Sequence, residues 1–282
     1  MNNIFILGSS GYIGTHLYNF MKLYTNFNVL SSGRSNADVY ADLEGSVDKL
    51  VYATVEDDVV VLLSSISSPD ICANQPDIAY KVNVTATLEL IKRLTQKGVK
   101  VIFSSTDIVF GKSKSKVIDN SRLMPFGVYG KMKAKVEQEV INNSLVKVIR
   151  FSYVLGLGDK YTSLLSEMAS RDEEIEVFDG FERNAVVIDD VLEGIYRLVV
   201  NWNDIASSAI NFSGNELISR FKITEHFKHY VCINLKFKSV NAPNGFWDVR
   251  PKTIKMQSNV FKSLLGREPM SIKQKLQCWS KK

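Results

Sequence analysis

Cysteine and histidine are scarce, with three of each among 282 residues. Cys72, Cys232 and Cys278 are odd in number and far apart, which excludes a fully paired disulfide framework and leaves no metal-ligand spacing. A reducing, cytoplasmic setting is the expectation. His16, His226 and His229 form no recognisable zinc pattern; the i, i+3 pair His226 and His229 reads as polar residues on an exposed helix face, and no metal is expected. Long apolar runs are missing as well. The longest, Val59-Val60-Val61-Leu62-Leu63, falls far short of the roughly 18 residues that span a bilayer, so no membrane association is expected. The opening residues up to Gly8 lack the basic start and extended apolar stretch of a secretion signal and read as a β-strand. Basic residues outnumber acidic ones only 35 to 30, a net charge of +5. With no basic stripe interleaved with aromatics, a nucleic-acid partner is not expected, while a small positive balance suits an anionic cofactor and substrate.

What is present is an ordinary globular balance, 45% hydrophobic and 23% charged, enough for a sizeable core. Apolar runs at 4–7, 28–30, 59–63, 99–103 and 146–151 alternate with helix-like stretches such as 78–97 and 131–141. Strands alternating with helices imply a parallel sheet, and a continuous apolar run such as 59–63 fits a strand covered by helices on both faces. The expected fold is therefore α/β, a doubly wound parallel sheet of the Rossmann type. Beyond about residue 155 the rhythm loosens. Residues 1–155 are expected to form the dinucleotide-binding domain, with the strand–helix unit at 183–200 returning to it. Residues 156–282 are expected to make mainly a smaller α/β substrate-binding region.

The first strand runs into Gly8-Ser9-Ser10-Gly11-Tyr12-Ile13-Gly14 and then a helical pattern. Glycines at that junction let the chain turn sharply and approach a pyrophosphate, which then sits at the positive helix N-terminus. Gly8, Ser10, Gly11, Tyr12, Ile13 and Gly14 are the candidate cofactor contacts, in a G-x-x-G-x-x-G spacing that differs from the commoner G-x-G-x-x-G. After the second strand, where an NAD-preferring protein places an acid on the ribose 2′-hydroxyl, this chain reads Ser31-Ser32-Gly33-Arg34. Arg34 suits a 2′-phosphate, so NADP(H) is expected to be preferred, with NAD(H) admitted; an ordinary exposed loop arginine is the alternative.

Tyr129 and Lys133 stand at i, i+4 in a helical stretch and so share a face, where an ammonium can tune a phenol for proton transfer. Together with the glycine turn and the strand-end hydroxyls of Ser104-Ser105-Thr106, the chain resembles the extended short-chain dehydrogenase/reductases, the family of NAD-dependent epimerases and dehydratases. The resemblance spans nearly the whole length. It implies that Tyr129 exchanges a proton with a sugar oxygen that Thr106 also hydrogen-bonds, while Lys133 holds the nicotinamide ribose. Ser105 is the second candidate for the hydroxyl role. The resemblance further places Asp42 and Leu43 on the adenine side, and Asn83, in Lys81-Val82-Asn83-Val84, at the family's Asn-Val motif. Ser64 stands where a small cofactor contact or a merely tolerated small residue would fit.

Within the family, Ser105-Thr106-Asp107-Ile108-Val109-Phe110-Gly111 is most similar to the dTDP-4-dehydrorhamnose reductase branch. Sugar dehydratases follow Thr-Asp with an acid, and Ile108 cannot serve as one. Tyr153 occupies a position where epimerases tend to carry Asn. Arg183 and Arg250 fall where relatives hold arginines against a nucleotide-sugar pyrophosphate, a task suited to the guanidinium fork, though ordinary ion pairing would also account for them. The expected activity is an NADP(H)-preferring reduction of a nucleotide-linked 4-keto-6-deoxy sugar. Epimerisation within the same family, or a non-catalytic NADP-sensing regulator, are the alternatives, and a homodimer is compatible with either.

Overall fold

A computed structural model describes residues 2–279. Strands β1 (Asn3–Leu7), β2 (Asn28–Gly33), β3 (Val39–Tyr40), β4 (Val59–Leu62), β5 (Lys100–Thr106) and β6 (Val146–Phe151) alternate with helices α1 (Tyr12–Tyr24), α2 (Asp48–Ala53), α3 (Pro69–Asn74), α4 (Pro76–Tyr80), α5 (Thr87–Gln96) and α6 (Gly127–Val140). The second part of the chain adds β7 (Val154–Leu155), α7 (Lys160–Ser170), β8 (Glu174–Phe178), β9 (Glu182–Arg183), β10 (Val186–Val187) and α8 (Ile188–Val200). It continues through β11 (Ala209–Phe212), β12 (Ile218–Ser219), α9 (Arg220–Tyr230), β13 (Lys236–Val240), β14 (Thr253–Ile254), α10 (Asn259–Leu265) and α11 (Ile272–Trp279).

Seven strands form one parallel sheet in the order β11-β6-β5-β4-β1-β2-β3. This is the doubly wound α/β architecture that the alternating runs imply. The period-two alternation of each strand feeds two cores: Phe5, Leu7, Val60, Leu62 and Phe103 face α5 and α6. Ile4, Ile6, Val59, Val61 and Ile102 face α1, α8 and α10 on the opposite side. The sheet takes back more of the chain than residues 183–200, because β11 pairs with β6 as an edge strand and Phe261 of α10 packs on α8 and β11. Arg183, by contrast, lies in the small β12-β9-β14 sheet.

The remainder has its own core, built from Leu155, Leu165, Ile175, Val187, Ile223, Phe227 and Leu276. His226 and His229 ride on α9, half-buried and exposed respectively, and among the described residues no group of His, Cys, Asp or Glu is arranged to hold a metal. No described helix is long and apolar enough to cross a membrane. The helical pattern across 78–97 is interrupted: between α4 and α5, Lys81–Ala86 is a π-helical turn in which Thr87 Oγ1 donates to Val82 O at 2.9 Å. Such widened turns are rare and gather at functional sites.

Candidate active site

Strand order reverses between β1 and β4, and ligands of open α/β sheets bind outside the carboxyl ends of the strands at that point. The glycine turn lies there. Gly8 has φ +96°, a conformation that favours glycine, and a Cβ on it would come within 2.9 Å of Ser64 N. A Cβ on Gly14 would fall 2.1 Å from Gly8 O. The turn is thus pressed flat against both β4 and its own helix, leaving bare backbone at the α1 N-terminus where a pyrophosphate fits. Ser10 is exposed there and Ile13 partly buried. The Tyr12 hydroxyl is buried without a hydrogen-bond partner, against Gly156. Burial, with Asp159 and Asp189, pushes this phenol up, so Tyr12 offers a ligand its main chain and not its hydroxyl.

Beside this turn runs a groove of about 590 Å³ whose lining includes Ser9, Ser10, Thr15, Ser31, Asn36 and Asp38. Arg34 is 71% exposed at its side chain and stands 3.7 Å from Glu44, so its guanidinium is reachable. Asp42 Oδ1 accepts from Glu44 N at 3.0 Å, and Leu43 is buried in the core. Asp38 was not legible as a site residue. It folds back so that its Oδ2 accepts from both Ser31 N and Ser31 Oγ at 2.8 Å, and these bonds, the backbone one first, hold its carboxyl below the usual range. A carboxylate thus stands at β2 beside Ser31, from seven residues further on.

Tyr129 and Lys133 project from the buried face of α6. A Cβ on Gly130 would sit 2.8 Å from Ile108 Cγ2 and 3.0 Å from Ile108 O, so α6 lies directly on the 3₁₀ turn Asp107–Phe110 that follows Thr106. That contact uses Ile108 for packing. Lys133 Nζ donates to Ser104 O at 2.9 Å and stands 5.9 Å from the Tyr129 ring centre. Burial brings the Lys133 ammonium down to about 8, with Glu137 and Cys72 opposing. Burial likewise pushes the Tyr129 phenol well above its ordinary range, against a hydrogen bond with Ser65, so the tyrosine is protonated at neutral pH. Thr106 Oγ1 donates to Asp107 Oδ1 at 3.3 Å and accepts from Ile108 N at 3.3 Å.

Several expected contacts are occupied elsewhere. Ser105 Oγ donates to Glu137, whose other oxygen pairs with Arg150 Nε at 2.9 Å, so the Ser105 hydroxyl supports a buried ion pair. Asn83 is fully buried and clips the backbone of Ile66, accepting from its N at 2.8 Å and donating to its O at 2.9 Å. It shapes the loop bearing Ser64 and Ser65 from within the core. Ser64 N donates to Leu7 O at 3.1 Å. Arg183 Nε pairs with Asp107 Oδ2 at 3.1 Å, and its remaining nitrogens donate to Glu182 O, Lys252 O and Pro251 O. Arg250 is paired with Asp70 and lies over the Phe246 ring. Tyr153 Oη donates to Asp159 Oδ1 at 2.8 Å, bracing the start of α7. Every nitrogen of the Arg183 guanidinium is engaged, whereas Arg250 uses mainly one nitrogen on the exposed Asp70, and the Tyr153 hydroxyl donates within the protein.

This arrangement defines a Rossmann-type α/β protein with a buried Tyr–Lys pair beside the sheet's switch point. Residues 1–278 match the family described as RmlD substrate binding domain, and the chain belongs to that family. It is similar to methionine adenosyltransferase 2 subunit beta of Xenopus tropicalis, 25% identical over 231 residues, 78% of this chain and 69% of that protein. It is also similar to dTDP-4-dehydrorhamnose reductase of Salmonella typhimurium, 23% identical over 211 residues, 72% of this chain and 70% of the relative. Several other curated relatives are matched over less than half of their own length. A dTDP-4-dehydrorhamnose reductase structure from Clostridium acetobutylicum shares the fold with a TM-score of 0.82 at 18% identity, covering 98% of each chain. The structure of RMD from Pseudomonas aeruginosa complexed with NADPH does so with a TM-score of 0.80 at 19% identity, covering 100% of each chain.

Proposed function

We propose that the protein is an NADP(H)-preferring oxidoreductase that reduces a nucleotide-linked 4-keto-6-deoxy sugar, with NAD(H) as an admitted alternative cofactor. The observation that carries this reading is the protonated, buried Tyr129 beside Lys133 at the switch point, since reduction of a carbonyl calls for a proton donor. The dinucleotide, when bound, supplies the hydride. The chain's own part is positional: the bare glycine turn receives the pyrophosphate, and Lys133, tethered to Ser104 O, orients the ribose. Tyr129 Oη then gives its proton to the substrate oxygen, which Thr106 Oγ1 aligns. Support also comes from the reductase relative and from the NADPH bound to a protein of the same fold.

With a dTDP-linked 4-keto-6-deoxyhexose, one equivalent of NADPH is expected to disappear per sugar reduced, followed by its absorbance. Epimerisation would leave the absorbance unchanged and return an isomerised sugar. The similarity to a protein named as a subunit of another enzyme favours a second reading, a dinucleotide-binding regulator without turnover. Cofactor binding with no reaction across a panel of 4-keto nucleotide sugars would establish it over the reductase.

Asp38 lines the groove beside the glycine turn, and the exposed Arg34 follows β2 close by in sequence. Replacing Arg34 by Asp is expected to weaken NADPH relative to NADH by roughly tenfold, since a repelling carboxylate takes the place of a phosphate partner. Dissociation constants for the two cofactors measure this directly. An unaltered ratio would remove Arg34 from cofactor choice.

A further inference from the structure

The substrate region contains a guanidinium for which the protein provides no anion. Arg220 opens α9, where the β12–β9 pairing sets it beside Phe181, whose carbonyl accepts from Arg220 N at 3.1 Å. Its guanidinium carbon lies 4.1 Å from the Phe181 ring centre and 4.9 Å from that of Tyr161. Its Nε is buried and has no hydrogen-bond partner. Among the described residues no carboxylate pairs with it, since its contacts are these two rings and the fields of its neighbours. Asp159, which acts with Arg220 on the Tyr153 and Tyr161 phenols, already accepts from Tyr153 Oη and from the backbone of Gly156, Tyr161 and Thr162.

Three features make this cation unfavourable as it stands. The same Phe181 ring also carries a second guanidinium, that of Arg183, at 4.3 Å. Arg220 also occupies the first turn of α9, where the helix dipole favours negative charge and where no acidic residue lies. Lastly, a charged group with an unpaired buried donor bears a desolvation cost that a ligand oxygen would offset. The rings hold the fork rigid without consuming its donors. Arg183, meanwhile, ties Arg220's neighbourhood to the catalytic strand through Asp107, the residue after Thr106.

We propose that Arg220, in place of Arg183 or Arg250, is the residue that grips the diphosphate linkage of the nucleotide-sugar substrate and so selects for a phosphorylated sugar. The inference rests on the nucleotide-sugar reading given above, and its test separates the two. Binding of dTDP and UDP, of the parent nucleosides and of inorganic pyrophosphate is measured by calorimetry on the NADPH-loaded wild type, Arg220→Gln and Arg220→Lys. NADPH affinity and thermal unfolding serve as checks that each variant is folded. Arg220→Gln is expected to weaken the nucleoside diphosphates by roughly ten- to a hundredfold with NADPH affinity retained, and Arg220→Lys to fall between, since an ammonium keeps the charge but not the fork. Nucleoside diphosphate affinity equal to wild type in Arg220→Gln overturns the role of Arg220 and leaves the nucleotide-sugar reading standing. Pyrophosphate binding that depends on Arg220, with no nucleoside diphosphate bound by the wild type, keeps the anion site and overturns the nucleotide-sugar reading. Failure of the wild type to bind either overturns both.

Discussion

Tyr129→Phe is expected to retain NADPH binding and to lose turnover by about 10²–10⁴-fold, the usual contribution of a positioned general acid. The ring is buried in the core that α6 covers, so phenylalanine fills the same space and the fold is kept. What disappears is the one transferable proton and its hydrogen bond with Ser65. The loss should fall on kcat with little change in KM, because the proton moves only as the transition state is reached. Single-turnover kinetics with a 4-keto nucleotide sugar would measure it, and near-normal turnover would remove Tyr129 from the mechanism.

Lys133→Met separates stability from activity. The ammonium is buried, held by Ser104 O, and its folded value is down at about 8 while an unfolded lysine stays near 10.4. Between those values the unfolded chain holds more protons than the folded one, so the lysine's cost to folding is full below about pH 8 and is relieved as pH rises towards 10.4. Methionine removes the charge and keeps the packing. At pH 7 the variant is expected to be more stable than wild type, by up to on the order of 3 kcal/mol, with the difference shrinking as pH rises through that window. Activity should nevertheless fall, with weaker cofactor binding, since the ammonium is proposed to hold the ribose. Denaturant unfolding at pH 7 and pH 10, beside NADPH titrations, tests both halves. A variant less stable than wild type at pH 7 would contradict the account of a penalised buried charge.

The sheet was legible because its signals are local. Residues 59–63 announce a strand covered on both faces, and Gly8, Gly11 and Gly14 announce a turn between strand and helix. The late edge strand β11 was not, because Ala209–Phe212 is short and its place beside β6 is decided by pairing across the fold. The same division holds at the site. Tyr129 and Lys133 fall on one face by helical spacing alone. The fate of Ser105 depended on Glu137, which follows Lys133 by one turn and so lands on the buried face of α6. A carboxylate there needs donors, and β5 pairs Ser105 with Arg150 in register to supply them. That signal was readable in principle from the spacing 129, 133, 137. Asp38 and Arg220 carried no comparable local mark. One reaches Ser31 by a loop reversal, and the other is set beside Phe181 by a strand pairing that only the folded chain reveals.

Arg183 determines how the two parts of the molecule can move. Its guanidinium joins Asp107 at the end of β5 to the carbonyls of Pro251 and Lys252, far along the chain, and it is almost wholly buried. Separating the two segments at this point would break a buried, hydrogen-bonded charged pair, at a cost of several kcal/mol. The strand that ends in Thr106 and the segment at 251–252 are therefore riveted together. Any relative motion of these two segments must go through the loss of that pair.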